Sequence, residues 1–224
     1  SFAYKIFPSL KFNSSLGNSF RAPSFTELYY CDPANKGDSL LKPEYAWGYE
    51  SGIEFYNKRF IGSFCSFYRK TEDDIDWVKK EGETIWQAKN IARALFQGFE
   101  TNIRLYPASW SSFNTGFTYL TIKTELPSGY ISKYALRVPE FTFTAGFSIF
   151  SIFDLSCRLN KYYESEANQF YLNSRLKKSI RILSRHSMLF SFVIDNILDK
   201  KYEDYLNVPL PGRELKFKLN IKEI

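Results

Sequence analysis

Few residues in this sequence could carry out covalent chemistry. Its 224 residues include one histidine, His186 in the segment SRHSM, and three widely separated cysteines, Cys31, Cys65 and Cys157. An enzyme needs a nucleophile, a base and an orienting acid within reach of one another. A zinc site or a disulfide framework needs closely spaced ligands or paired cysteines. We therefore expect no catalytic residue, no metal centre and no cofactor.

One acidic cluster could in principle hold a hard cation. Asp73, Asp74 and Asp76 offer carboxylate oxygens of the kind that calcium accepts. They lack the glycine and glutamate spacing of a calcium loop, and we interpret them as part of a solvated loop.

The overall charge also excludes some classes of protein. The formal net charge is +6, with lysine and arginine scattered along the chain. A nucleic-acid-binding protein is expected to concentrate basic residues in a patch, so we expect no nucleic-acid partner. No run approaches the roughly eighteen apolar residues of a transmembrane helix.

The elements that must position any functional residue are strands. In the final segment ELKFKLNIKEI, apolar residues alternate with lysine or asparagine, which is the period of a strand. The same alternation occurs near residues 45–55, 99–105, 113–119, 141–149, 153–160 and 172–182.

These strands favour a membrane-spanning sheet over a soluble sandwich. Strands of ten or more residues exceed the usual five or six, and ten residues tilted by about 45° span about 23 Å, close to the apolar band of an outer-membrane barrel. The opposing face is repeatedly charged, and aromatic residues, 19% of the chain, gather near strand ends.

The connections alternate between two lengths. Short turns are predicted at 7–9, 56–60, 107–112, 149–153 and 183–187, and long connections at 21–43, 70–90, 124–138, 162–171 and 199–212. In transmembrane barrels the short turns are periplasmic and the long loops are extracellular. About eleven strands result, and because an open sheet edge is not tolerated in lipid, we predict one part of a larger closed antiparallel β-barrel.

Several motifs resemble one family of barrels. The segment LGNSFRAPSFTELYY is followed by LLKPEYAWGYESGIEF, NIARALFQGFE, RVPEFTFTAGFSI and VIDNILDKKYEDYLNVPLPGRELKFKLNI. Their order resembles that of the TonB-dependent outer-membrane receptors. The family motifs are Phe20, Arg21, Ala22 and Pro23 at one end, and Pro211, Gly212 and Arg213 at the other.

The resemblance implies that residues 1–224 are the C-terminal half of a 22-stranded barrel, with the plug domain and the first half of the barrel elsewhere. It implies a multi-pass protein of the bacterial outer membrane that imports a chelated nutrient, coupled to the TonB system through the missing plug. Haem-importing relatives carry a histidine in the first loop, and residues 24–43 contain none. A ferric siderophore or cobalamin is therefore favoured over haem, with lipid and lipopolysaccharide as further partners.

Two groups of residues are candidates for a role in this function. Ligand contacts are expected in the first long loop, from Tyr29, Tyr30, Asp32, Asn35 and Lys36, although an aromatic girdle and a solvated loop would use the same residues. Charged strand residues are expected to face the lumen, where they could contact a plug: Glu50, Glu54, Glu100, Arg104, Arg158, Arg175 and Arg181.

Two other functions stay open at this point. A passive outer-membrane pore without energy coupling would share the same strands. An outer-membrane barrel enzyme would need catalytic partners for His186, which lies on a predicted short turn.

Overall fold

The computed structural model describes residues 1–133, 138–162, 168–183, 186–205 and 208–223. These residues form strands and a single short helix, α1, at Phe25–Tyr29. The strands are β1 Phe2–Phe7, β2 Leu10–Arg21, β3 Asn35–Lys36, β4 Glu44–Tyr56, β5 Phe60–Lys80, β6 Trp86–Ala108, β7 Ser111–Glu125, β8 Tyr130–Ser132, β9 Pro139–Ile149, β10 Phe153–Tyr162, β11 Gln169–Leu183, β12 His186–Asp195, β13 Glu203–Tyr205, β14 Val208–Pro209 and β15 Glu214–Glu223.

Eleven strands of the described chain follow one another through the main sheet. Their order is β1-β2-β4-β5-β6-β7-β9-β10-β11-β12-β15, so each long strand neighbours the next in sequence. The short strand β3 pairs with β6, β8 pairs with β5, and β13 and β14 form a separate hairpin. This order confirms the prediction of an all-β sheet of about eleven strands.

Contacts divide the chain into two compact units. Unit 1 comprises Ser1–Ile53, Cys65–Phe99 and Leu120–Leu136, and unit 2 comprises Glu54–Phe64, Glu100–Tyr119 and Arg137–Ile224.

In unit 2, the strand register places apolar residues together on one face. Phe217 of β15 lies opposite Phe192 of β12, which lies opposite Leu176 of β11. Directly opposed residues of an antiparallel pair point to the same face. The face continues through Phe153 of β10, which lies opposite Leu176, and through Phe143 of β9.

This apolar face is open rather than packed. The exposed fraction is 68% for Phe217 and 65% for Leu215, although both are large hydrophobic residues. Exposed apolar patches of this extent mark a surface that something else covers. The alternation predicted for β15 is confirmed.

The other face of the unit 2 ladder is polar and carries ion pairs. Lys177 Nζ lies 2.8 Å from an Asp154 carboxylate oxygen, and Lys216 Nζ lies 2.9 Å from Asp195 and 2.8 Å from Glu214. Each of these pairs is partly solvated, so it orders the face more than it stabilises the fold.

In unit 1, the described core is small. Trp77, Val78 and Ala88 are buried where β5 and β6 approach their ends, and Ala46 is buried on β4. Tyr45 and Trp47 flank Ala46 on β4 and are exposed, so β4 also has one covered and one open face.

The predicted connection at 70–90 is wrong. β5 continues to Lys80 and β6 begins at Trp86, which leaves only residues 81–85 between them. Asn90 on β6 links this segment to its neighbours, because its Nδ2 donates to the carbonyls of Lys42 and Asp73. Asp73 has a φ of 58° inside the strand, which is typical of a bulge.

The other predicted connections lie between strands of the main sheet. Four of the short turns lie where they were predicted, between β1 and β2, β4 and β5, β6 and β7, and β9 and β10. The fifth short turn and parts of the later long connections fall on residues outside the described ranges.

Candidate functional site

The first long connection is fastened at its start by Arg21, the last residue of β2. Its Nε and Nη2 donate to the two carboxylate oxygens of Glu44 at 2.6 Å each. Its Nη1 and Nη2 also donate to both oxygens of Glu27 at 3.0 Å. One planar guanidinium therefore holds two carboxylates in a bidentate manner, which fixes their relative orientation.

The local sequence explains why Glu27 reaches Arg21. Pro23 ends the strand because it has no N–H to donate, and Ser24 then caps helix α1. The Ser24 hydroxyl accepts the Glu27 N–H, and the Glu27 carboxylate accepts the Ser24 N–H at 2.6 Å, which together form a capping box.

The same contacts set the charge state of the site. Partial burial alone would raise the pKa of Glu27, but hydrogen bonds from Arg21 and Ser24 outweigh it and lower the pKa below its ordinary value. The second carboxylate, Glu44, also accepts the backbone N–H of Ile75 at 2.8 Å. This Arg21 clamp, made of Arg21, Glu27 and Glu44, therefore joins β2, α1, β4 and β5.

Three of the five predicted ligand residues are engaged in the internal structure of the loop. Asp32 accepts hydrogen bonds from the Tyr30 hydroxyl at 2.9 Å and from the Ala34 N–H at 2.7 Å. Asn35 donates to Asp32 through its amide and accepts from Lys133 Nζ. The ring of Tyr30 lies edge-on to Trp77, with centroids 6.4 Å apart.

The other two predicted ligand residues present their side chains outward. Tyr29 is exposed and pairs with exposed Phe25, with ring centroids 6.0 Å apart. Lys36 is exposed on β3. The side chains of Tyr29 and Lys36 are therefore open to solvent, whereas Tyr30, Asp32 and Asn35 shape the loop that carries them.

A cluster that the sequence did not reveal lies near the end of the β5–β6 hairpin. Lysine ammonium groups lie over aromatic rings in four pairs: Lys79 over Trp86 at 4.7 Å, Lys80 and Lys89 over Tyr130 at 5.8 and 5.3 Å, and Lys133 over Trp77 at 5.8 Å. These distances are within the range of cation–π attraction. We call these seven residues the lysine–ring cluster.

The cluster depends on a pairing that no sequence pattern indicates. Strand β8 lies beside the end of β5, with Lys80 opposite Tyr130 and Val78 opposite Ser132. These partners are about fifty residues apart in the chain, and β8 has only three residues.

Charged residues predicted for the lumen lie on the polar face wherever the register is described. Arg158 lies opposite Tyr171, and Arg175 lies opposite Asp154 and Val193, all on the face away from Phe217. Arg181 lies opposite Ser187 on the same face.

Two further strands carry the remaining predicted lumen residues. Asn102 on β6 reaches the polar face beside Gly116, where an added Cβ would lie 3.0 Å from Asn102 Oδ1. Glu100 and Arg104 lie two residues before and after Asn102 in β6, so their side chains point to the same face as that of Asn102. Glu50 and Glu54 alternate on β4 with the exposed residues Tyr49, Ile53 and Phe55.

The last long connection is closed by the second family motif. The Arg213 N–H donates to Asp199 Oδ1 at 2.8 Å, and Arg213 Nε donates to the Ile197 carbonyl at 3.1 Å. A Cβ on Gly212 would lie 2.8 Å from the same Asp199 oxygen, so any larger residue here would force that carboxylate to move. Gly212 and Arg213 therefore help to close the connection.

A tyrosine extends this closure to β11. The Tyr202 hydroxyl donates to the Phe170 carbonyl at 2.8 Å and accepts the Phe170 N–H at 2.7 Å. Its ring packs on Tyr171 with centroids 5.0 Å apart. One side chain thus takes the place of a strand partner for Phe170.

The acidic residues of β5 do not converge. In the described part of the chain, no group of three potential ligands is arranged to hold a metal ion. Asp74 accepts a hydrogen bond from Thr71, whereas Asp73 has a positive φ of 58°. The placement of Asp73, Asp74 and Asp76 in a loop was wrong, since all three lie in β5.

No helix among the described residues is long and apolar enough to cross a membrane.

Comparison with known proteins gives a consistent result. A family model described as TonB dependent receptor-like, beta-barrel, matches residues 1–180. The chain is 28% identical over 120 residues to the vitamin B12 transporter BtuB of Photobacterium profundum, a match that covers 52% of this chain and 18% of that protein. It is 36% identical over 92 residues to BtuB of Vibrio vulnificus, a match that covers 41% and 14% respectively.

Solved structures share the fold over nearly the whole chain. The copper transporter OprC superposes with a TM-score of 0.72 at 16% identity, covering 99% of this chain and 38% of its own. The FrpB iron transporter of Neisseria meningitidis gives a TM-score of 0.72 at 13% identity, with the same coverages. The ferric enterobactin receptor PfeA of Pseudomonas aeruginosa gives 0.67 at 17%, covering 99% and 39%. The chain therefore spans well under half the length of the proteins that it matches.

Proposed function

This chain belongs to the TonB-dependent receptor family, and from that membership we propose that the complete protein is an outer-membrane receptor that imports a chelated nutrient with energy supplied through TonB. The family is one of receptors and transporters rather than enzymes. The proposal includes the absence of catalytic activity and assigns residues 1–224 to the C-terminal half of the barrel.

The observation that carries the proposal is the separation of faces in unit 2. Phe217, Phe192 and Leu176 continue one apolar face across three strands, while Lys177 and Lys216 form ion pairs on the other. An apolar outer band and a charged interior are what a barrel in lipid requires. A barrel of 22 strands encloses a lumen too wide for side chains to fill, and such barrels contain a plug.

We assign the charged face to the lumen and the plug. The register places Arg158, Arg175 and Arg181 on that face, and the strand period places Glu100 and Arg104 there as well. All five side chains are open to solvent. Charged residues across a wet interface can hold a plug and still release it, because each exposed pair contributes little. Lipid and lipopolysaccharide would surround the opposite face.

The proposed ligand is an organic chelate, either a ferric siderophore or cobalamin. The matched transporters of Photobacterium profundum and Vibrio vulnificus carry vitamin B12 by name, and PfeA is a ferric enterobactin receptor by name. The loop at residues 24–43 has no histidine to bind haem iron. Exposed Tyr29 and Lys36 suit the rings and charges of a chelate better than a bare ion.

Growth on single nutrient sources tests the proposal. A strain that lacks the full-length gene is supplied with one ferric siderophore, cobalamin or haem at a time, and uptake is compared with that of the complemented strain. Loss of siderophore or cobalamin use is expected. Loss confined to haem would contradict the ligand, and unchanged uptake in a TonB-deficient strain would indicate a passive pore.

A further inference from the structure

One lysine interrupts the apolar face of β11. Lys178 lies two residues from both Leu176 and Ile180, so all three side chains point to the same face of the strand. Leu176 and Ile180 are exposed, and Lys178 is exposed as well. Across the sheet, Lys178 lies opposite Phe190 of β12, which lies opposite Leu219 of β15. Lys178 therefore projects from the surface that faces the lipid.

The neighbouring lysine has a carboxylate partner, and Lys178 has none among the described residues. Lys177 points to the polar face, where its Nζ lies 2.8 Å from an Asp154 carboxylate oxygen. Within the described part of the chain, Lys178 forms no ion pair. A charge on the lipid-facing side of a barrel destabilises the fold unless it reaches the interface or finds a partner. The Lys178 ammonium therefore calls for an anion from outside this part of the chain.

A second lysine lies at the other end of the same face. Leu159 of β10 lies opposite Phe143 of β9 on the apolar face. Lys161 follows Leu159 by two residues, so it points the same way, and it is exposed.

The spacing of the two lysines matches the thickness of a membrane. Asn160 lies opposite Gln169, so Lys161 is level with residue 168 of the chain, and Lys178 lies about ten residues further along. Ten residues extend about 33 Å along a strand, and at a tilt of about 45° they rise by about 23 Å. The apolar band of a barrel is about 25 Å tall. Lys161 and Lys178 therefore mark its two edges.

The edge that Lys178 marks is the one beside the short turns. The Lys177 N–H donates to the Ile152 carbonyl at 2.7 Å, which places Lys178 next to the turn at 150–152. Short turns face the periplasm in the proposed orientation of the barrel. Lys178 therefore lies at the level of the lipid phosphates of the inner leaflet.

The same turn presents apolar surface at this level. Phe150 and Ile152 are both exposed, at 63% and 54%. The Phe150 ring stacks on Trp110 of the neighbouring turn, with centroids 5.3 Å apart, and the Phe150 N–H donates to the Trp110 carbonyl at 2.6 Å. Aromatic rings gather where headgroups meet acyl chains. A positive charge and an ordered apolar rim therefore lie side by side.

We propose that Lys178 and the turn at 150–152 form a docking site for an anionic glycerophospholipid of the inner leaflet. The Lys178 ammonium binds the phosphate oxygens, while Ile152 and Leu176 contact the first methylene groups of the acyl chains. A headgroup with a net negative charge is preferred, because a zwitterionic headgroup brings its own cation to the phosphate. This inference goes beyond the proposed function, since it does not depend on which nutrient is imported.

Fluorescence of the full-length protein in phosphatidylcholine bilayers tests the site. Phe190→Trp places a reporter directly opposite Lys178, and its emission is obtained by subtracting that of the unaltered protein. Brominated phosphatidylglycerol or brominated phosphatidylcholine is then added in increasing fractions, since bromine quenches a tryptophan that it contacts. Phosphatidylglycerol should bind beside the reporter about fivefold more strongly than phosphatidylcholine, as expected for one lysine at an anionic lipid.

Variants in the reporter protein assign this preference to one side chain. Lys178→Gln and Lys178→Met should both reduce it to less than about twofold, whereas Lys178→Arg should retain it. Lys218→Gln removes an equal charge from the polar face of β15 and should leave the preference unchanged. Strand content by circular dichroism shows that each variant is folded.

Three results would overturn the site. They are an absence of preference in the reporter protein, an unchanged preference after Lys178→Gln and Lys178→Met, and an equal loss after Lys218→Gln, which would indicate the net charge of the protein. Nutrient uptake enters none of these measurements, so the lipid site and the uptake function can fail independently.

Discussion

Arg21 and Glu44 are joined by two hydrogen bonds of 2.6 Å although 23 residues separate them in the chain. They are the last residue of β2 and the first residue of β4, so their contact closes the first long connection at its base. Glu27 shares the same guanidinium, which fixes helix α1 and the exposed ring of Tyr29 relative to the sheet. The Phe-Arg-Ala-Pro motif therefore positions the loop that we propose for ligand contact.

Replacing Arg21 by lysine should loosen this loop without unfolding the sheet. A single ammonium cannot hold two carboxylates in a bidentate manner, and since Arg21 is about half exposed, the local cost should be about 1 kcal/mol. Hydrogen exchange of residues 22–40 in the full-length protein should accelerate about fivefold. Lys70→Gln, which removes the exposed Lys70–Glu72 pair, is the control, and equal acceleration there would contradict the clamp.

Acid should release the same loop. The pKa of Glu27 is lowered in the folded protein, so its carboxylate stabilises the fold above the unfolded pKa, and this contribution is lost as pH falls through the folded pKa. Exchange of residues 22–40, corrected for intrinsic rates, should stay constant from neutral pH down to the ordinary glutamate pKa of 4.5 and rise below it. In Glu27→Gln the loop should already be loose at neutral pH, and a normal acid response in that variant would exclude Glu27 as the titrating group.

The sequence predicted the sheet well because each membrane strand repeats one constraint. Apolar residues such as Leu215 and Phe217 must alternate with polar ones where one face is open to lipid. Beyond the membrane that constraint ends, which is why Asp73, Asp74 and Asp76 were placed in a loop although they lie in β5. The lysine–ring cluster needs contacts between residues about fifty positions apart, and a single sequence contains no signal for them.

The assignment of the apolar face predicts an asymmetry between neighbouring residues of β15. Phe217→Arg should destabilise the folded protein by about 2–4 kcal/mol if residue 217 lies near the membrane midplane. Lys218→Ser should cost little, because Lys218 lies opposite Ser191 on the polar face. Reversible folding of the full-length protein into lipid vesicles, followed by urea titration, measures both. Equal effects at the two positions would contradict the facing of β15.

Alanine at Gly212 should disrupt the last long connection. Its Cβ would lie 2.8 Å from Asp199 Oδ1, the oxygen that accepts the Arg213 N–H. The carboxylate must move, and losing this hydrogen bond should cost about 1–2 kcal/mol. Asp199→Gly removes the obstacle, so adding Gly212→Ala to that variant should cost almost nothing further. Additive losses in the same urea titration would show that the clash is not the cause.

Cysteine labelling of intact cells should distinguish the two ends of the barrel. Cys31 is an exposed native thiol in the first long connection, whereas Cys65 and Cys157 are partly buried on β5 and β10. If long connections are extracellular, a bulky PEG-maleimide that cannot cross the outer membrane should modify Cys31 of the wild-type protein but not Cys65 or Cys157. Cys31 should be accessible because it follows the Arg21 clamp and helix α1 in the loop proposed to meet the ligand.

A control variant places a single thiol at the opposite end of the barrel. It combines Lys58→Cys, in the turn between β4 and β5, with Cys31→Ser. That double variant should react only after the cells are permeabilised. If it reacts in intact cells while Cys31 of the wild type does not, the proposed topology is inverted.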